Sequence, residues 1–186
     1  VVAAQPPAIV MTRLWLPEHD WLPSVYANHA NQSPTFRFPD LLSACIELAL
    51  SSTESLARLQ LFLGTDLGAR DPKAPRRSCH VWRRQFDEML REHRAAWNSH
   101  PNPKFELDAI ATGCVAVVRA EHDPVRRILT QARLNCAARV AADAEQVHGQ
   151  AGFFIDQAGH VAKRRQVAGA AQAHLLHALA VREAAH

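Results

Sequence analysis

Two distant segments, SPTFRFPD at 33–40 and NPKFELDA at 102–109, resemble two copies of one unit. Aligned without a gap, residues 34–48 and 103–117 share three identities and six conservative matches in fifteen positions. The identities are Pro34/Pro103, Phe36/Phe105 and Cys45/Cys114. An internal repeat constrains the fold strongly, because neighbouring copies bury their apolar faces against each other. Two amphipathic helices in phase would share most of the apolar matches by chance, so the alignment leaves both interpretations open.

Each copy is predicted to contain a short strand followed by two helices. In TFRF, Phe36 and Phe38 alternate with Thr35 and Arg37, which places the aromatic and polar side chains on opposite faces of a strand. KFEL at 104–107 alternates in the same way. A strand of four residues cannot satisfy its own backbone groups, so we expect residues 34–38 and 103–107 to pair with each other as an antiparallel ribbon.

The rest of the chain is predicted to be mainly helical. Trp82, Phe86 and Trp97 recur at helical spacing and indicate an amphipathic helix inserted between the copies. GFFIDQAG at 152–159 suggests a hairpin, and an alanine-rich helix follows. The expected organisation is an irregular aromatic-rich segment at 1–32, a helical domain at 33–145 with repeats at 33–67 and 103–140 and an inserted helix at 80–97, and a C-terminal hairpin and helix at 146–186.

Composition and motifs exclude several functions. The formal net charge is +3 and the pI is near 8.9, which permits nucleic-acid binding without requiring it. The four cysteines form no C-x-x-C pair, and no phosphate loop or nucleophile motif is present. His174 and His177 share a helical spacing but have no evident third ligand. We therefore expect neither an enzyme nor a cofactor or metal. No apolar run is long enough to span a membrane, and the start VVAAQPPAIVM lacks the basic region of a signal peptide. Cys45, Cys114 and Cys136 lie in apolar helical stretches, as free cysteines do, so a reducing, cytoplasmic location is expected.

The strand–helix–helix order and the join RFPDLL at 37–42 resemble the ribbon-helix-helix DNA-binding proteins, represented by the Arc and MetJ repressors. The resemblance covers residues 33–67 and 103–140. It implies that two copies interlock and that their paired strands lie in the DNA major groove. Two copies in one chain would form a single-chain pseudo-dimer, acting as a transcriptional regulator or a DNA-processing accessory factor.

The resemblance also implies site residues. The base-reading positions would be the outward residues of the two strands, and the start of each second helix would contact phosphate. The implied DNA-binding residues are Thr35, Arg37, Lys104, Glu106, Ser52 and Thr53.

A plainer interpretation remains open for the same residues. Thr35, Arg37, Lys104 and Glu106 are also typical of solvent-facing loops that enter helices, with a phenylalanine packed inward. The alternative function is a helical protein–protein interaction module without a nucleic-acid role, anchored by aromatic residues of the inserted helix. The expected partner is thus duplex DNA, or otherwise another protein or a second copy of the chain.

Overall fold

A computed structural model describes residues 8–101 and 103–144. The chain divides into two compact units, residues 1–137 and 138–186. Within the second unit the described residues, 138–144, are helical. The hairpin and helix predicted for 146–186 lie outside the described residues. Among those described, no helix is both long and apolar enough to cross a membrane.

The described part of the first unit is mainly helical and contains two strands. In chain order its elements are β1 (Ile9–Trp15), α1 (Leu16–Tyr26), α2 (Phe38–Leu50), α3 (Thr53–Phe62) with a π-helical continuation (Leu63–Leu67), β2 (Arg76–Trp82), α4 (Arg83–His93), a 3₁₀ turn (Ala96–Asn98), α5 (Leu107–Arg119) and α6 (124–137). This confirms the prediction of a mainly helical fold with an antiparallel pair of strands.

The strands pair antiparallel, with Thr12 opposite Cys79. Thr12, Leu14, Cys79 and Val81 are buried, and they alternate with more exposed residues on both strands. One face of the pair therefore belongs to the core. α2 packs on β2, α5 packs on β1, and the two helices pack against each other.

Local sequence explains where α2 begins and how closely α5 approaches α3. Pro39 lies in the first turn of α2, where its missing N–H is not needed. On α5, Gly113 faces α3, and a Cβ at this position would lie 2.5 Å from Leu59 Cδ1. The absence of a side chain at Gly113 therefore allows α5 and α3 to approach.

The predicted position of the strands is wrong. Residues 34–37 and 103–106 are not strands but segments that lead into α2 and α5. The backbone groups of the phenylalanine in each segment are satisfied by a side chain: Asn31 accepts from the Phe36 N–H at 2.8 Å and donates to the Phe36 carbonyl at 3.0 Å. Asn98 makes the same two bonds to Phe105, at 2.7 and 2.9 Å. Because an asparagine amide fills the place of a strand partner, these segments do not need to pair with each other.

Two further boundaries differ from the sequence prediction. Residues 9–26, expected to be irregular, form β1 and α1. The helix expected at 80–97 begins at Arg83 and ends at His93, since Arg76–Trp82 is a strand. The physical reason lies in the period: Cys79 and Val81 are buried while Ser78 and His80 are exposed, an alternation of two that a helix does not produce.

Candidate functional site

The outer side of the strand pair carries four exposed side chains at its centre. Met11 lies opposite His80, and Arg13 lies opposite Ser78. Because successive side chains of a strand point to opposite faces, these four project away from the buried Thr12 and Cys79. We call the pair of β1 and β2 the ribbon, and Met11, Arg13, Ser78 and His80 the ribbon face.

Both ends of the ribbon are fixed to the helices by equivalent contacts. The Trp15 N–H, at the end of β1, donates to Thr112 Oγ1 of α5 at 3.2 Å. The Trp82 N–H, at the end of β2, donates to Ser43 Oγ of α2 at 3.0 Å. β1 is thus anchored by α5 and β2 by α2, which holds the ribbon against the core.

A carboxylate organises the arginines beside the ribbon face. Asp108 Oδ2 accepts from Arg76 Nη1 at 2.7 Å and from Arg13 Nη2 at 3.3 Å. The Asp108 side chain is 7% exposed, whereas that of Arg13 is 60% exposed. Among the described residues, Asp108 Oδ1 has no hydrogen-bond partner. Two guanidinium groups share one carboxylate, so the cluster has a net charge of +1 and the guanidinium of Arg13 faces solvent.

Arg76 is held on a second side by an aromatic ring. Its Cζ lies 3.8 Å from the centroid of the Trp15 ring, a cation–π contact. Arg76 also donates to the Pro72 carbonyl at 3.1 Å. Arg76 therefore supports the ribbon, and Arg13 is the more accessible cation of the pair.

A groove of about 350 Å³ runs from the ribbon face to the start of α5. Met11, Arg13 and Ser78 lie along one part of it, and Glu106 and Asp108 along another. Of the residues predicted from sequence, Glu106 is therefore brought next to the ribbon face.

The other predicted site residues lie at the starts of helices. Thr35 and Arg37 are exposed, and the Arg37 N–H donates to Asp40 Oδ2 at 3.1 Å in the first turn of α2. Lys104 is exposed ahead of α5, with its Nζ 5.2 Å from the Phe105 ring centroid. Ser52 caps α3, since its Oγ accepts from the Ser55 N–H at 3.1 Å, and Thr53 is the first residue of that helix.

Sequence reasoning missed all four residues of the ribbon face. The signal was present as alternation: VMTRL at 10–14 and SCHVW at 78–82 alternate between more buried and more exposed positions. A second signal is a common spacing, since Trp15 precedes Trp82 by the same interval at which Asn31 precedes Asn98.

Thiol and metal chemistry find no support at this site. Burial raises the pKa of Cys79 to about 12, so its thiol stays protonated at neutral pH. Cys79 points inward and the adjacent His80 points outward, which separates the two as nucleophile and base. No cluster of three metal-ligating side chains occurs among the described residues. His174 and His177 lie outside that range.

No protein-family model, no curated protein and no solved structure matches the chain.

Proposed function

We propose that this protein binds duplex DNA by placing the ribbon face in the major groove, as a transcriptional regulator or DNA-processing accessory factor. The observation that carries the proposal is an antiparallel strand pair anchored on its inner side by α2 and α5, with Arg13, Ser78 and His80 exposed on its outer side. The major groove of B-DNA is wide enough to admit a two-stranded ribbon. Arginine, serine and histidine supply hydrogen bonds to base edges, and arginine also supplies charge.

A duplication within the chain, which we propose as well, supports DNA binding through the ribbon. The order strand, helix, loop, helix occurs in β1–α1–α2 and again in β2–α4–α5. Equivalent hydrogen bonds recur in the two halves, as Ser43 and Thr112 illustrate. Thr12 pairs with Cys79 across the ribbon. The interval along the chain between these two residues is also the interval that relates corresponding residues of the two halves. Thr12 and Cys79 are therefore both strand partners and corresponding residues. Such a pairing is what a twofold axis through the ribbon requires.

Under this duplication the resemblance to ribbon-helix-helix proteins is retained. Each strand–helix–helix unit now begins one element earlier in the chain than the sequence alignment indicated. The strands become β1 and β2, the first helices α1 and α4, and the second helices α2 and α5. In this arrangement Arg37 and Lys104 lie beside the starts of the second helices. Basic side chains and backbone N–H groups at helix starts bind phosphate, so we assign these two residues to phosphate contacts.

The remaining residues inferred from the resemblance change role under this proposal. Thr35 carries no positive charge to attract phosphate, and the carboxylate of Glu106 repels it. Ser52 and Thr53 begin α3, which is the third helix of the first half and not its second helix. We expect alanine at Thr35, Ser52 or Thr53 to leave DNA affinity unchanged.

Fluorescence anisotropy with labelled duplexes tests the proposal. The protein is titrated against a random-sequence duplex and then against a selected site, at several salt concentrations, because phosphate contacts make affinity fall as salt rises. Arg13→Ala is expected to cost about 1–3 kcal/mol at the selected site and to relax base preference. The matched control is Arg91→Ala on α4, which removes an exposed arginine away from the ribbon face. Equal losses from both variants would contradict a reading role for Arg13.

Phosphate contacts have a different signature. Arg37→Ala and Lys104→Ala are expected to weaken binding to all sequences alike and to lower the slope of log K against log salt by about 1 each. A change in sequence preference would instead make these residues base readers.

Exposed apolar residues on the ribbon favour the alternative function, a protein–protein interaction module. Met11 is 64% and Ile9 is 38% exposed on the outer side of β1. An interaction module predicts no retention on DNA at moderate salt and a complex with a defined protein that survives nuclease treatment.

A further inference from the structure

We propose that the ribbon reads an asymmetric DNA site, with a guanine contact in one half and a thymine contact in the other. The inference rests on the DNA-binding function proposed above and specifies the kind of duplex that the ribbon face recognises.

The geometry divides the outer side of the ribbon at the pair Thr12–Cys79. On one side of that pair lie Arg13, Ser78, Trp15 and Arg76, which we call the polar half. On the other side lie Ile9, Met11, His80 and Trp82, which we call the apolar half. Each residue of one half has a counterpart in the other half, separated from it along the chain by the interval from Thr12 to Cys79. These pairs are Met11 with Ser78, Arg13 with His80, Ile9 with Arg76, and Trp15 with Trp82.

The two halves differ in chemistry at every position except the tryptophans. In the polar half, Arg13 is exposed and orientated by Asp108, beside the hydroxyl of Ser78. An arginine in the major groove donates two hydrogen bonds to O6 and N7 of guanine. The polar half is therefore suited to a G·C pair.

The apolar half presents mainly hydrocarbon and sulfur. Met11 and Ile9 are exposed there, and neither can donate or accept a strong hydrogen bond. The alignment of 34–48 with 103–117 matches Asp108 to Pro39, and the neighbouring carboxylate of Asp40 accepts from the indole N–H of Trp82 at 2.8 Å. Among base edges in the major groove, the thymine methyl group makes the apolar contact. This half is therefore suited to an A·T pair, with His80 as a polar neighbour.

Placing both halves in one chain removes the constraint that a homodimer imposes. Two identical chains present the same side chains to both half-sites and so match an inverted repeat. Here the framework contacts recur, while the ribbon-face residues differ between the halves. The geometry can therefore stay near twofold while the base contacts do not.

Selection from a pool of random duplexes, followed by sequencing, tests the inference. The full chain is expected to enrich a site with G·C in one half and A·T in the other. An enriched inverted repeat would overturn the asymmetry and leave DNA binding intact. Failure to enrich any duplex over several salt concentrations would overturn the DNA-binding function itself, and the present inference with it.

Substitutions in each half make the test directional. The double variant Met11→Ser with His80→Arg gives the apolar half the residues of the polar half, and it should shift the consensus to an inverted repeat with guanine on both sides. Arg13→Ala should reduce the guanine preference about tenfold in one half and leave the thymine preference unchanged. An unchanged consensus in the double variant, or equal losses in both halves with Arg13→Ala, would contradict the assignment. The positions are exposed, and a thermal melt of each variant checks its fold.

Discussion

Thr12 of β1 lies opposite Cys79 of β2, at the centre of the ribbon. The interval between them along the chain also relates Trp15 to Trp82, the residues at the ends of the two strands. It relates Asn31 to Asn98 as well, which hold the loops ahead of α2 and α5. These relations support the proposed duplication and place its axis between Thr12 and Cys79.

The paired asparagines should matter for stability to a similar degree. Asn31 is 3% exposed and Asn98 is fully buried, and each bonds both backbone groups of a phenylalanine. Alanine at either position leaves those groups without their partner, which should cost about 1–3 kcal/mol. Chemical denaturation measures the free energy of unfolding. Asn28→Ala is the control, since its side chain accepts from the exposed Ala30 N–H in the same turn. Losses no larger than the control's would contradict the role assigned to Asn31 and Asn98.

A methyl group at Gly113 should be costly, and one at Gly64 should not. A Cβ at Gly113 would lie 2.5 Å from Leu59 Cδ1 and 3.2 Å from Leu63 Cδ2, so α3 must shift or the leucines must change rotamer. We expect Gly113→Ala to lower stability by about 1–3 kcal/mol. At Gly64 a Cβ meets nothing within 4 Å, so Gly64→Ala should be neutral or stabilising by up to about 1 kcal/mol. Thermal melts compare the two. Tolerance of alanine at Gly113 would show that the contact of α3 and α5 is loose.

The cysteines should react selectively with a thiol reagent. Cys45, Cys79 and Cys114 are buried, while Cys136 is partly exposed. Burial raises the pKa of all three buried thiols, that of Cys79 to about 12, which keeps the reactive thiolate scarce. Brief alkylation of the folded protein should therefore modify Cys136 first, and denaturation should expose all four. Mass spectrometry of peptides identifies the modified residue. Rapid labelling of Cys79 in the folded protein would contradict the buried inner face of the ribbon.

The thiol of Cys79 should make stability fall at alkaline pH. Because the folded-state pKa of Cys79 is raised from 9.0 to about 12, its stabilising contribution is complete below pH 9. Between pH 9 and 12 the unfolded chain loses the proton and the folded chain keeps it, which lowers the free energy of unfolding by up to about 1.4 kcal/mol per pH unit. Denaturation at pH 8 and pH 10 measures the fall, and Cys79→Ala should reduce it. An identical pH dependence in that variant would contradict the assignment to Cys79.

Sequence reasoning located the central helices but not the strands. The ungapped alignment of 34–48 with 103–117 matches α2 to α5, including Ser43 with Thr112 and Cys45 with Cys114. Upstream of these helices the interval between counterparts is shorter, because Asn31 lies closer to Phe36 along the chain than Asn98 lies to Phe105. An alignment without gaps loses the match at that loop, so it does not suggest the equivalence of β1 and β2 that we propose.

The site predicted from sequence lay in the wrong segments, TFRF and KFEL, and this too has a physical reason. TFRF and KFEL alternate like strands, but an asparagine amide satisfies the phenylalanine backbone in each case. β1, in contrast, obtains its partner from far downstream in the chain, which local periodicity does not reveal. Alternation within each segment indicates a strand, but the pairing that brings Arg13 and His80 onto one face is seen only in the structure.

Photo-crosslinking from the ribbon tests the DNA-binding proposal most directly. Benzoylphenylalanine is placed at Met11 on the ribbon face or at Leu61 on α3, two apolar positions that are 64% and 67% exposed. Irradiation with a selected duplex is predicted to link position 11 to DNA, with a yield that falls as salt competes for the phosphates, and to leave position 61 unlinked. Equal yields from both positions, or crosslinks from position 61 alone, would contradict a ribbon that lies in the major groove.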